Sequence, residues 1–194
     1  MSGLRETKKA ATRTALSRAA AEIALAEGPE GLTIAAIAAR AGVSNRTFHN
    51  YFNSREEALL QFLSDRIEDL VGQLNDVPEE LDLLAAVEHL VVGHMRAGES
   101  QLDSFGALFH ITEIVEVISP TPNHLSAGII VIPLLPAVLP RSPGLDEFEV
   151  SIAINIIASA VRAALEWFYR MPEPRDVEMG AQLVHRACSM IRLG

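Results

Sequence analysis

Residues 33–52, TIAAIAARAGVSNRTFHNYF, constrain the fold more than any other stretch of the chain. Ile34, Ile37 and Ala38 form one apolar face of a short segment, and Val43 and Phe48 supply apolar positions in the next. Thr33 and Ser44 stand where helix N-caps belong, with a side-chain oxygen ready to accept a free backbone N–H. Ala41-Gly42-Val43 between them reads as a tight turn, and Gly42 falls where a side chain would penalise the backbone. Two short helices joined by such a turn make a helix-turn-helix, which needs flanking helices to cover its apolar face.

The flanking sequence supplies them. Residues 5–27 are Ala-rich, with Leu16, Ala20 and Ile23 near helical spacing, and Gly28-Pro29 reads as the stop. Ser54-x-x-Glu57 reads as a capping box opening a helix over 54–74, with Leu59, Leu60, Leu63, Ile67 and Leu70 on one side. Helices are expected over 81–97 and 101–118, and a short one around 124–138 within a segment, 119–144, that holds six prolines. Asp146-x-x-Glu149 opens a long helix over 147–170. There Ser151, Asn155, Ser159, Arg162 and Glu166 form one polar stripe on an otherwise apolar helix, which predicts that most of its surface is buried. In the last helix, 175–192, Val177, Ala181, Val184, Cys188 and Ile191 recur at the spacing of a helix-packing seam. No strand alternation persists. The expected class is all-α: a three-helix head, residues 1–53, and a larger helical domain, 54–194, with helix 54–74 linking the two.

The net charge of −9 argues at first against a nucleic-acid partner, but its distribution does not. Residues 1–60 hold eight basic and six acidic residues, a net of +2, and the remaining 134 residues carry −11. Both lysines, Lys8 and Lys9, lie near the N-terminus. The most apolar stretch, 127–140, is short and interrupted by Pro133, Pro136 and Pro140, whereas a membrane span needs about 20 apolar residues. No signal-peptide pattern opens the chain. The expectation is a soluble, cytoplasmic protein without a membrane partner. A single cysteine, Cys188, excludes a disulfide framework and any CxxC motif. No phosphate-binding loop, GxSxG or dinucleotide fingerprint occurs, so no cofactor is expected. His110, Glu113 and Glu116 share a helical face, but that set reads more readily as a polar stripe than as a metal site, and no metal is expected.

The second helix of the motif exposes Asn45, Arg46, Thr47, His49 and Asn50. Arg pairs bidentately with guanine O6/N7 and Asn with adenine N6/N7. From Ser44 to Ser54 there is no acidic residue, as a surface facing phosphate requires.

In Thr33, Ile37, Ala38, Ala41-Gly42-Val43-Ser44, Thr47, Tyr51-Phe52 and Ser54-Arg55-Glu56-Glu57-Ala58-Leu59-Leu60, the chain resembles the tetracycline-repressor (TetR) family of bacterial transcription regulators. The likeness spans about residues 12–65. It implies a homodimeric repressor on double-stranded, pseudo-palindromic operator DNA, released by a small-molecule effector. Asn45, Arg46 and His49 would approach base edges, and Thr33, Ser44, Thr47, Tyr51 and Arg55 would hold phosphates. His49 stands where Tyr is usual, Phe48 where Leu is usual, Ala24 in place of a frequent aromatic, and Arg55 where many members have Lys. The last two helices would dimerise, through Val177, Ala181, Val184, Cys188 and Ile191. The effector would be mainly apolar, lodged near Phe105, Phe109 and Trp167 and oriented by His110, Glu113, Asn155 and Arg162. Ala164-Leu165-Glu166-Trp167 resembles a segment of relatives that sense acyl thioesters, so an acyl-type effector is among the expectations.

Some readings stay open on sequence alone. Tyr51 serves either a phosphate or the small core. Arg5, Lys8, Lys9 and Arg13 are either a solvated terminus or an arm on DNA. A regulator without an effector, and an all-α enzyme with a vestigial head, are the alternatives in function.

Overall fold

A computed structural model describes residues 2–74, 76–78, 80–97, 102, 104–119 and 132–191, and among these it contains nine α-helices and no strand. In chain order they are α1 Ser2–Gly31, α2 Ile34–Arg40, α3 Asn45–His49, α4 Arg55–Leu74, α5 Leu83–Ala97, α6 Phe105–Ile118, α7 Ile132–Val138, α8 Glu147–Tyr169 and α9 Val177–Ser189. The all-α class follows the sequence reading. Of the helix expected around 124–138, only its last part falls on described residues, as α7. The part of it before residue 132 lies outside the described residues.

The described chain divides into two units. The first holds α1 to α3, α4 through Asp65, and α6 from His110. The second holds α4 from Arg66, α5, α6 through Phe109, and α7 to α9.

In the first unit the local signals act as expected, with two refinements. Gly28 leaves the helical region at φ 69°, and a single turn containing Pro29 follows before α1 ends, so the expected stop is a kink. The Ser54 hydroxyl accepts from the Glu57 N–H at 3.2 Å, but the Glu57 carboxylate accepts from the backbone N–H of Asn53, not of Ser54. Half of the capping box is present, and its return bond shifts by one residue. Gly42 has φ 69°, the left-handed conformation that glycine adopts without a Cβ clash. The core is made by Leu16, Ile23, Leu32, Ile37, Phe48, Phe52, Leu59 and Phe62. Phe62 was not among the inward residues expected on α4. Leu60, Ile67 and Leu70, which were, are only half-buried.

The core of the second unit runs along α8, where Val150, Ile154, Ile157, Val161, Leu165 and Phe168 meet Val91 and Met95 of α5 and Val184 and Cys188 of α9. Asp146 and Glu149 form a complete capping box at the start of α8. By length and composition α8 is able to cross a bilayer, but nine of its side chains are buried in this core. Gly180 lets α9 approach closely: a Cβ there would lie 3.0 Å from the Phe168 ring and nearer still to the Met95 methyl. Gly180→Leu should therefore lower stability by about 1–3 kcal/mol through overpacking. Gly180→Ala should be near neutral, because the Met95 methyl can swing away and helix propensity gains about 1 kcal/mol. Denaturant midpoints of the two variants test this, and equal midpoints would show that the contact is not tight.

Candidate nucleic-acid interface

Two caps set the helix-turn-helix. The Thr33 hydroxyl accepts from the Ala36 N–H at 3.1 Å and starts α2, and the Ser44 hydroxyl accepts from the Thr47 N–H at 3.1 Å and starts α3. Ser44 Oγ also lies 3.0 Å from Thr47 Oγ1. Phe48 is fully buried, with its ring 5.8 Å from that of Phe52 and edge-on to His49 at 5.6 Å. Burying Phe48 turns the rest of α3 outward. Asn45, Arg46, His49 and Asn50 are exposed together on this one short element, and Arg46 makes no ion pair among the described residues. The surface thus presents donors and acceptors, with a cation and no carboxylate, as base-edge recognition requires.

The candidate phosphate residues divide. Thr33 and Ser44 are exposed, while Thr47 and Tyr51 are half-buried beside α3. The Tyr51 carbonyl accepts from Arg13 Nη1 at 3.4 Å, and Arg13 Nε and Nη2 both donate to Gln61 Oε1 of α4, at 2.9 and 2.6 Å. The same guanidinium lies over the Phe52 ring, 4.8 Å from its centre. Arg13 therefore ties α1 to the end of α3 and to α4, a role with no signal in local sequence.

Arg55 has other partners besides solvent. Its Nη1 donates to the carbonyls of Pro29 and Leu32, at 3.2 and 2.9 Å, and its Nε lies 3.3 Å from a Glu56 carboxylate oxygen. Burial pushes the Glu56 carboxyl up, but hydrogen bonds from Ser54, its own backbone and Arg55 outweigh this and hold it below the ordinary value. In this arrangement Arg55 pins the end of α1 and the entry to α2.

The effector candidates divide between the two units. Phe105 and Phe109 are half-buried against the second unit's core, the latter stacked on Tyr169 at 6.0 Å. His110 and Glu113 belong to the first unit and lie 3.3 Å apart. Asn155, Arg162 and Trp167 lie on the exposed side of α8, with Trp167 67 % exposed. A polar group that the sequence did not single out lies beside Phe105. His94 Nε2 is 2.7 Å from Gln73 Oε1, and its ring stands edge-on to Phe105 at 5.5 Å. Burial first, and the Arg66 charge second, hold the His94 pKa below its ordinary value, so the imidazole is kept neutral. A groove of about 550 Å³ between α5 and α9 is lined by Glu88, His89, Arg96, Glu178, Gln182 and His185, and by none of the effector candidates. Arg96–Glu178 at 2.8 Å and His185–Glu88 at 2.7 Å cross it. Among the described residues no group of three or more metal-ligating side chains forms.

The seam residues of α9 face their own protomer. Ala181, Val184 and Cys188 are buried, and Ile191 is half-buried against the same core; only Val177 is exposed. Burial raises the Cys188 thiol to about 11, with Glu88 adding to the effect, so it stays protonated. Within one protomer α8 is covered less fully than its pattern predicts. Beside its polar stripe runs a second exposed stripe, Phe148, Ile152, Ile156 and Trp167, and Met179 of α9 and Met190 just past its end are exposed too.

Residues 16–61 match the family model of bacterial regulatory proteins, tetR family. The HTH-type transcriptional regulator TcmR of Streptomyces glaucescens is 32 % identical over 127 residues, which is 64 % of this chain and 55 % of that protein, so the match spans about half of the relative's length. Among solved structures, the fatty acid degradation regulator FadR from Bacillus halodurans has a TM-score of 0.63 at 19 % identity, covering 93 % of this chain and 96 % of that one. A TetR transcriptional regulator from Rhodococcus sp. RHA1 has a TM-score of 0.61 at 17 % identity, covering 95 % and 96 %. With the helix-turn-helix geometry and the family match over residues 16–61, the head of this chain is similar to that of the TetR family of bacterial regulatory proteins, and the all-α fold is shared with solved members of that family.

Proposed function

We propose that the protein is a cytoplasmic, homodimeric transcriptional repressor that binds a pseudo-palindromic operator through α3 and is released by a mainly apolar effector. The observation that carries the DNA reading is the exposed set Asn45, Arg46, His49 and Asn50 on a helix capped by Ser44 and anchored by Phe48. Asn45, Arg46 and His49 read bases. Thr33, Ser44, Thr47 and Tyr51 hold phosphates, and Arg55 assists chiefly by fixing α2. The relatives are regulators, which favours regulation over enzymatic catalysis. Selection of bound duplexes from random-sequence DNA tests the reading: a palindromic consensus is the expected result, and recovery of no preferred sequence would overturn it.

Dimerisation is assigned to the exposed apolar stripe of α8, Ile152, Ile156 and Trp167, with Met179 of α9 and Met190 after it, because these side chains lack a cover in one protomer. Ile156→Asp should leave the protomer folded and shift sedimentation from dimer to monomer. An unchanged dimer would remove this face from the interface. For the effector, the half-buried Phe105 and Phe109 offer apolar surface, and neutral His94 with Gln73 offers polar groups to orient it. The structural likeness to a fatty acid degradation regulator keeps an acyl-type molecule among the first to test. An effector acts only by its difference in affinity for the DNA-competent and DNA-incompetent states, and α4, shared by both units, is the element proposed to link them.

A further inference from the structure

We infer that the first three turns of α1 are a second DNA-contact element, a basic helical extension that takes backbone phosphates through Lys8 and Lys9. The inference rests on the DNA-binding reading above. Its first support is where the head's positive charge resides. Residues 1–13 hold four basic residues against Glu6, a net of +3, while residues 14–60 hold four basic against five acidic, a net of −1. Without its N-terminal segment the head is weakly acidic.

The second support is what the other cations are doing. Arg40 pairs with Glu22 at 3.2 Å and reaches Glu27 at 4.0 Å. Arg55 is held by Pro29, Leu32 and Glu56, and Arg13 by Gln61 and Tyr51. Lys8, Lys9 and Arg46 are exposed and make no ion pair among the described residues.

Placement is the third support. The first buried side chain of α1 among the described residues is Leu16; before it, Glu6, Thr7, Lys8, Lys9, Ala10 and Ala11 are all exposed. None of residues 6–11 is buried, and the segment is helical as a continuation of packed helix, which needs no new nucleus. Thr7 and Thr12 hydroxyls donate to the carbonyls of Gly3 and Lys8 along it. Its root is Arg13, which reaches the Tyr51 carbonyl at the end of the recognition helix. Lys9 stands one turn ahead of Arg13 on the same helical face, about 6 Å further along the axis. The extension thus leaves the head beside its DNA-facing end. An ammonium on a flexible stem is a point charge without base preference, so the partner is the phosphate backbone of duplex DNA.

The test uses full-length protein, with the duplex recovered by random-sequence selection and a scrambled duplex as probes, titrated over a range of salt. The double variant Lys8→Gln, Lys9→Gln should bind both duplexes several-fold more weakly, by the same factor. Its log affinity against log salt should be shallower by about 1.8, at about 0.9 per phosphate contact. Lys8→Arg with Lys9→Arg should keep the parental slope. An unchanged slope overturns the inference, as does a loss confined to the selected duplex. A parent protein that binds neither duplex overturns the regulator reading itself, whereas a parent that binds while the variant matches it overturns only this one.

Discussion

Phe48→Ala should abolish binding to every DNA sequence by unfolding the head, at a cost of about 3–5 kcal/mol. The ring is fully buried, packs on Phe52 and stands edge-on to His49. Removing it leaves a cavity directly behind α3, a helix only five residues long. Such a helix has little stability of its own, and a whole domain holds only about 5–15 kcal/mol. Loss of helical circular dichroism and a lower denaturant midpoint should accompany the loss of binding. Phe48→Leu keeps most of the apolar volume and should fold with a small loss, about 1 kcal/mol. A Phe48→Ala protein with an unchanged midpoint would show that α3 is held by something other than this contact.

Arg46→Ala should have the opposite profile. Arg46 is exposed and makes no ion pair among the described residues, so folding stability should change by less than about 0.5 kcal/mol. Specific binding should weaken by about 1–3 kcal/mol, and preference should relax at a single base pair. Competition titrations with single-base variants of the selected duplex read this directly. If all sequences weaken equally, Arg46 holds a phosphate and the specificity lies with Asn45 and His49. The two variants separate what builds the head from the side chain proposed to read DNA on it.

Much of the head was legible in the sequence because its signals are local. Thr33, Ser44 and Gly42 act within three or four residues, and each does in the structure what its residue type and position predict. The Asp146 capping box is equally local. The departures arise where a second partner competes. Glu57 reaches Asn53 instead of Ser54, and Gly28 kinks α1 without ending it. Arg13 and Arg55 carried no readable signal for their roles, since their partners lie 48 and 26 residues away in the chain, at Gln61 and Pro29.

The dimer and effector candidates were legible only in kind. Periodicity marks Ala181, Val184 and Cys188 as a stripe that must be covered, and they are covered, by their own protomer's core. The exposed Ile152, Ile156 and Trp167 hid beside a polar stripe, where the rest of an otherwise apolar helix reads as buried. His94 and Gln73 were missed because a lone histidine and a lone glutamine, 21 residues apart, form no pattern along the chain.

The sequence by itself therefore determined the helical class, the helix-turn-helix and the residues that α3 turns outward. These follow from caps, turns and spacing, which operate over one or two helical turns. Only the tertiary structure decided which buried stripe meets which helix, which arginines are engaged by distant carbonyls and carboxylates, and which lysines remain exposed. Hydrophobic burial is non-directional: a periodic stripe requires a cover but does not name it, and a charge count does not say which charges are already paired.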